Sequence, residues 1–380
     1  MQTEPDGRHA STEARATVAI VGAGPSGTAT ALRLARLGFS DVLLLDAFDF
    51  PRDKTCGSGL SHRSVEVLRE LGLYERIRPM SYPIHGMRLV TPGRRELVLS
   101  SGDHEQALIC RRRDLDEVML TAAIGRGVKF VPHFHAVEPL LEGDRWIGVR
   151  GRDGRVVRAE TVVIANGAHS RLVIDQSPRR TIHTLMGWWS HVPYAAHTAE
   201  MVFDPMLSPY YGWLFPETED RVNIGITYED DALRLNPRDL FMRFLDANYA
   251  DRLRGARPVR DWRGHPIVYT YAIRDLTSPG RIVVGEAGRM THPATGEGIY
   301  HAMRSGVFAA EAIYDIAVRG HAEAAAYRRY IERCRGTFLP GFWLGRFFRG
   351  LVRTPLLDWI ADFGSLPAVS RATGTLLSSL

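Results

Sequence analysis

Three cysteines in 380 residues, Cys56, Cys110 and Cys334, are too few, too scattered and odd in number for a disulfide framework or a paired-cysteine metal site. Lysine is scarcer still: Lys54 and Lys129 are the only two among 48 basic residues, and the rest are arginine. The arginines alternate with 43 acidic residues along the whole length, so the net charge of +5 is no clustered basic face and no nucleic-acid partner is expected. No run of 18 or more apolar residues exists to cross a bilayer. The first 16 residues lack the apolar core of a secretory signal and read as a disordered lead-in. These absences together fit a cytoplasmic protein without a metal.

What is present is an ordinary globular balance, 45% hydrophobic and 24% charged, in a chain long enough for two interlocked domains. Near the N-terminus, an apolar strand enters GAGPSG, a helix pattern follows, and a second strand, DVLLLD, ends at Asp46. In this β-α-β unit Gly22 permits the tight turn, Gly24 lets a pyrophosphate approach the backbone, and Gly27 lets helix pack on strand. Pro25 and Ser26 open the helix whose free N–H groups face the phosphates. Asp46, 19 residues after Gly27 and followed by Ala47, stands where a carboxylate accepts from ribose hydroxyls, which argues against a 2′-phosphate. The middle of the chain alternates short strands with turns such as TPGRRE and PETEDR, as in antiparallel sheet.

A second glycine-rich junction, VGEAGRMTHPATGEGIYHAMRSG, begins at Val284, and other stretches join it: PRDKTCGSGL, RRDLDEVML, VVIANGAHSRL and PYYGWLFP. In this order and at these distances the chain, from about Thr17 to Ile316, resembles the geranylgeranyl reductase family of FAD-dependent oxidoreductases, relatives of the aromatic hydroxylase flavoproteins. The resemblance implies an α/β fold: a Rossmann-like FAD-binding domain (17–88, 107–180 and 278–325) interrupted by an antiparallel β-sheet substrate domain (89–106 and 181–277), with a helical C-terminal segment (326–380). It places Cys56 and Gly57 near the flavin face, Arg112 and Asp116 beside FAD at a helix start, Gly167 in the segment shared with hydroxylases, and Gly285 with Glu286 near the ribityl and phosphates. Pro293, Gly296, Glu297, Gly298 and Ile299 would border the ring, with the positive end of the following helix toward the reduced flavin. Cys56, Tyr211 and Trp213 are the candidate catalytic or substrate-contacting residues. Asn166 and Glu286 depart from the family, which has aspartate at both positions.

His292 and His301 flank the turn as candidate proton donors. Trp188 and Trp189 invite a halogenase reading, but its W-x-W-x-I-P element and catalytic lysine are not visible. No second dinucleotide unit exists for a resident nicotinamide, so the electron donor is transient NAD(P)H or a protein. The expected reaction is hydride transfer to a carbon–carbon double bond of a hydrophobic, prenyl-like or polyketide-like substrate, the alternative being a flavin monooxygenase. The tail, with Arg346, Arg349 and Arg353 spaced along one helical face, suits either a membrane-surface helix or a lid over the substrate cavity.

Overall fold

The computed structural model describes residues 13–102, 104–173, 180–229 and 236–364. Strand β1 (Glu13–Val21) turns through the glycine loop into helix α1 (Pro25–Arg36) and returns as β2 (Val42–Leu45). The chain continues through β3 (Gly59–Leu60), α2 (His62–Glu70), the short α3 (Tyr74–Ile77), β4 (Tyr82–Ile84) and the hairpin β5 (Gly86–Val90) and β6 (Glu96–Ser100). It then forms β7 (Ala107–Ile109), α4 (Arg112–Ile124), β8 (Lys129–Val131), β9 (Ala136–Glu142), β10 (Arg145–Gly151) and β11 (Val156–Ile164). The middle holds β12 (Arg180–Ser190), β13 (Thr198–Val202), β14 (Gly212–Thr218), β15 (Arg221–Tyr228), α5 (Pro237–Leu253) and β16 (Arg257–Tyr269). After β17 (Thr277–Ser278) and β18 (Arg281–Val283), the chain ends in α6 (Ile299–Ala317), α7 (Glu323–Val352) and α8 (Leu356–Gly364).

One sheet is ordered β17-β18-β11-β1-β2-β8, with β9 and β10 attached to β11; β1 pairs in parallel with β2 and β11. Helices cover both faces of such a sheet, which is why β2 is buried at every position and reads as an unbroken apolar run. The second sheet, β16-β12-β15-β14-β13-β5-β6, is antiparallel except where β13 runs parallel to β5. A small third sheet, β3-β7-β4, bridges the two. The expected α/β architecture, with an inserted substrate sheet and a helical C-terminal part, is therefore present.

Some boundaries move. β1 begins at Glu13, not at residue 17, because Glu13 to Ala16 pair with Val156 to Ala159 of β11 and Glu13 bridges Arg158 at 2.9 Å. The rest of the expected lead-in, residues 1–12, lies outside the described residues, as does the tail beyond residue 364. The second sheet takes its first strand from Gly86 rather than residue 89, since Gly86 already pairs with Thr198.

Candidate functional site

The glycine loop shows why each glycine is there. Gly22 has φ +109°, and a Cβ on it would stand 2.5 Å from the Ala165 carbonyl oxygen of the neighbouring strand's end. On Gly27 a Cβ would fall 1.8 Å from the Gly22 oxygen. Both are packing glycines. A Cβ on Gly24 would meet only an Arg52 guanidinium nitrogen, at 3.8 Å, so the loop is open on that side. Gly24 is also the N-cap of α1, with no side-chain cap and no acid in the first turn, which leaves the helix N–H groups free for an anion.

That open side belongs to a cavity of about 1070 Å³ that runs between the two large sheets. Its nucleotide end is lined by Gly22, Gly24, Pro25, Ser26, Asp46 and Ala47. The Asp46 carboxylate accepts from Ala23 N–H at 2.7 Å and Phe48 N–H at 3.0 Å, fastening the loop while keeping acceptor capacity toward the cavity. Arg112 starts α4 and forms a buried two-pronged pair with Asp116 at 2.8 and 2.7 Å. Burial opposes the Arg112 charge, but Asp116 and the neighbouring Cys56 outweigh it and hold the guanidinium firmly protonated.

Further along, Cys56, Gly57, Gly167, Glu286, Gly296, Glu297, Gly298 and Ile299 line the middle of the cavity. Gly298 caps α6 without a side-chain bond, so a second helix N-terminus opens into the same space. Tyr211 and Trp213 of the Y-x-W-x-F-P element form the wall opposite: the Tyr211 hydroxyl donates to the Thr295 carbonyl at 2.5 Å, and Trp213 Nε1 donates to Asn223 Oδ1 at 2.7 Å. The Cys56 backbone loop packs on this wall, for a Cβ on Gly57 would touch Phe215 and Trp213 at 3.4 Å. Beyond lies an apolar lobe with Met87, Leu89, Met186, Met201, Phe203 and Phe348.

Gly27, Gly285 and Pro293 do not line the cavity. Gly285 has φ +62° and admits Ser26 of α1, whose Cβ would be 2.9 Å from an added methyl group, while Pro293 is buried behind the turn. All three shape the site from outside it.

Lys54, to which the sequence assigns no role, is a wall residue. Its Nζ lies 2.8 Å from Nε2 of His265 on β16, which lies 3.7 Å from a Glu286 oxygen. Glu286 also accepts from Val268 N–H at 3.3 Å. Burial pulls the Lys54 amine down to about 8 despite the Glu286 charge. Burial works in the opposite sense on Glu286, but His265, Lys54 and the Val268 N–H prevail and hold its carboxyl below the ordinary value. Lys54 and His265 are 211 residues apart, and no local pattern in the sequence joins them.

The histidines of the turn are not proton donors near neutrality. His292 Nε2 donates to the Gly341 carbonyl of α7 at 3.0 Å, while Nδ1 faces Thr295 N–H at 3.2 Å and the Thr295 hydroxyl at 3.0 Å. A proton on Nδ1 would point into those donors. Burial accordingly pushes His292 from near 6.5 down to about 4, and lowers fully buried His301 well below its usual value. The unfolded chain therefore binds more protons between about pH 4 and 6.5, so stability falls as pH drops through that window. Each pH unit is expected to cost about 1.4 kcal/mol per histidine. Thermal melts at pH 7 and 5.5 check this, and His301→Phe, among Phe338 and Phe342, should flatten the acid side by about one proton.

Trp188 and Trp189 are core residues. Trp188 is fully buried, donates to Glu217 at 3.0 Å and lies under Arg260; Trp189 packs on Phe241 of α5. The three tail arginines also part company: Arg349 turns inward to Glu229 at 2.7 Å and the Tyr269 hydroxyl at 2.9 Å, while Arg346 and Arg353 stay exposed. The inward face of α7 brings Phe348 against Phe203, where it lines the apolar lobe.

The described residues fit FAD. Two uncapped helix N-termini, an open Gly24, and buried polar atoms without partners on Arg52 (Nε), Thr291 (Oγ1) and Glu297 (Oε1) all border one cavity. Residues 15–211 match the family described as an FAD binding domain. The chain is 31% identical to the menaquinone reductase of Mycolicibacterium smegmatis, over 78% of this chain and 76% of that protein. It is 27% identical to digeranylgeranylglycerophospholipid reductase 1 of Methanopyrus kandleri, over 94% and 97%. A geranylgeranyl bacteriochlorophyll reductase-like protein from Thermoplasma acidophilum superposes with a TM-score of 0.86 at 20% identity, covering 97% of this chain and 96% of that one. A dinucleotide loop, a second glycine-rich turn facing it and these likenesses agree: the chain belongs to the geranylgeranyl reductase family of FAD-dependent oxidoreductases.

Proposed function

We propose that this flavoprotein reduces a carbon–carbon double bond in a hydrophobic, prenyl-like substrate. The observation that carries the reading is the continuity of one cavity, polar at the glycine loop and apolar beneath Phe203 and Phe348. Its volume, at the top of the range for ligand pockets, leaves room for an extended apolar chain beside a cofactor.

FAD, when bound, supplies the hydride, having been reduced by transient NAD(P)H or a protein donor. Arg52 and the α1 N-terminus would hold its phosphates, Asp46 its ribose, and residues 295–299 its ring. Tyr211, Trp213 and Phe215 confine the substrate and exclude water. Lys54 Nζ delivers the proton that completes the addition, so that the double bond gains one hydride and one proton. With its amine near 8, Lys54 is charged at neutral pH yet acidic enough to release a proton. Glu286 steadies the charged form, and half-buried His265 stands between Nζ and the Glu286 carboxylate.

Anaerobic single turnover of the photoreduced holoprotein with menaquinone or a geranylgeranyl lipid tests the reading by product mass. The expected product is two mass units heavier, without oxygen. A product heavier by sixteen that forms only with oxygen would instead establish the monooxygenase.

A further inference from the structure

The end of α7 and the whole of α8 carry apolar side chains on the side where a helix of a globular protein is normally polar. Inward positions are Phe342, Gly345, Phe348 and Val352 on α7, and Leu357 and Ala361 on α8. Outward, at helical neighbours, stand Trp343, Leu344 and Phe347, then Leu356, Trp359 and Ile360. These are six of the fifteen large apolar side chains exposed among the described residues, and Phe347 and Trp359 are 69% and 64% exposed. Their concentration in eighteen residues distinguishes this face from the scattered exposure of any surface.

The charge beside this face is positive. Arg346 and Arg353 are exposed, whereas the two acids of α8 are engaged elsewhere: Asp358 accepts from Gly93 N–H at 2.9 Å, and Asp362, itself exposed, pairs with Arg95 at 3.3 Å. Arg346 lies 5.3 Å over the Trp343 ring, so cation and aromatic surface are offered together. The face is also continuous with the site, because Phe348, next to Phe347, lines the apolar lobe, and Ala361 of α8 packs on Leu99, another lining residue.

We propose that this face rests on an anionic lipid surface, with Trp343, Phe347 and Trp359 among the acyl chains and Arg346 and Arg353 at the phosphates. On the reading of a prenyl-like substrate, a molecule dissolved in that lipid meets the cavity across one helix. The lipid contact itself does not depend on that reading.

Sedimentation of the FAD-loaded full chain with vesicles tests it, using phosphatidylcholine alone and phosphatidylcholine mixed with anionic phosphatidylglycerol. Binding to the anionic vesicles should exceed binding to the neutral ones at least tenfold and fall with salt. The pair Phe347→Ser and Trp359→Ser should lower it at least tenfold, and Arg346→Glu with Arg353→Glu should abolish the preference for phosphatidylglycerol. Bound FAD should be unchanged in both double variants, which separates this outcome from misfolding and from failure of the proposed reaction. Wild-type protein left in the supernatant with both vesicle types would overturn the proposal. So would a concentration-dependent dimer that the serine variants dissociate, since a second copy would then cover the face.

Discussion

Gly24→Asp is expected to give a colourless protein whose apo form melts no lower than the wild type. Gly24 has φ −74° and ψ −175°, a conformation open to any residue, and an added Cβ meets nothing nearer than 3.8 Å. As N-cap of α1 an aspartate there is at least as good as glycine, so the apo fold should gain a few tenths of a kcal/mol. The same carboxylate fills the approach to the helix N-terminus and repels phosphate. FAD affinity should fall by about a thousandfold or more, equivalent to about 4 kcal/mol. Gly27→Ala provides the contrast, for its methyl group would lie 1.8 Å from the Gly22 oxygen and must damage the fold before any cofactor binds. Flavin content by absorbance and melting of the apoproteins separate the two. Tight FAD binding by Gly24→Asp would show that the phosphates do not lie on this loop.

Lys54→Met should leave flavin content unchanged and slow single-turnover reduction of substrate by about 1000-fold, within the usual range for loss of a general acid. The reactive form carries the proton, so the wild-type rate should fall as pH rises through about 8. That limb should vanish in the methionine variant. Lys54→Arg keeps the positive charge beside His265 and Glu286 but cannot give up a proton at these pH values, and should be nearly as slow. A rate within threefold of wild type for Lys54→Met would remove the amine from the reaction. Full activity for Lys54→Arg would reduce its role to charge alone.

Local features were legible in the sequence and remote ones were not. The loop of Gly22, Gly24 and Gly27 announces itself because turn, cofactor approach and helix packing are all set within six residues. Tyr211 and Trp213 could be placed on the site wall from motif likeness, and they are there. Lys54 could not, because its meaning comes from His265 on a strand of the other domain. Trp188 and Trp189 carry no halogenase motif around them, and the structure puts both in the core. His292 misled: adjacency to a glycine turn suggested a donor, but the α7 carbonyl that takes its Nε2 hydrogen comes from 49 residues later. For the tail, spacing alone put three arginines on one face, and the turn of α7 against Tyr269 and Glu229 withdrew one of them.

The single parallel pairing in the second sheet bears on how the chain is made. Gly86 of β5 finds its partner Thr198 of β13 more than a hundred residues downstream, and the outer strand β6 packs on Ala361 of α8. At roughly 5–20 residues per second, the β5–β6 hairpin waits on the order of 10 s on the ribosome for β13, and longer for α8. During that wait Leu89, Leu97 and Leu99 have one another but neither β13 nor Ala361 of α8, and an open strand edge is a template for pairing with other chains. The wall of the apolar lobe consequently closes only once α8 has been made, and a nascent chain stalled before α8 would carry a finished dinucleotide sheet beside an unfinished substrate wall.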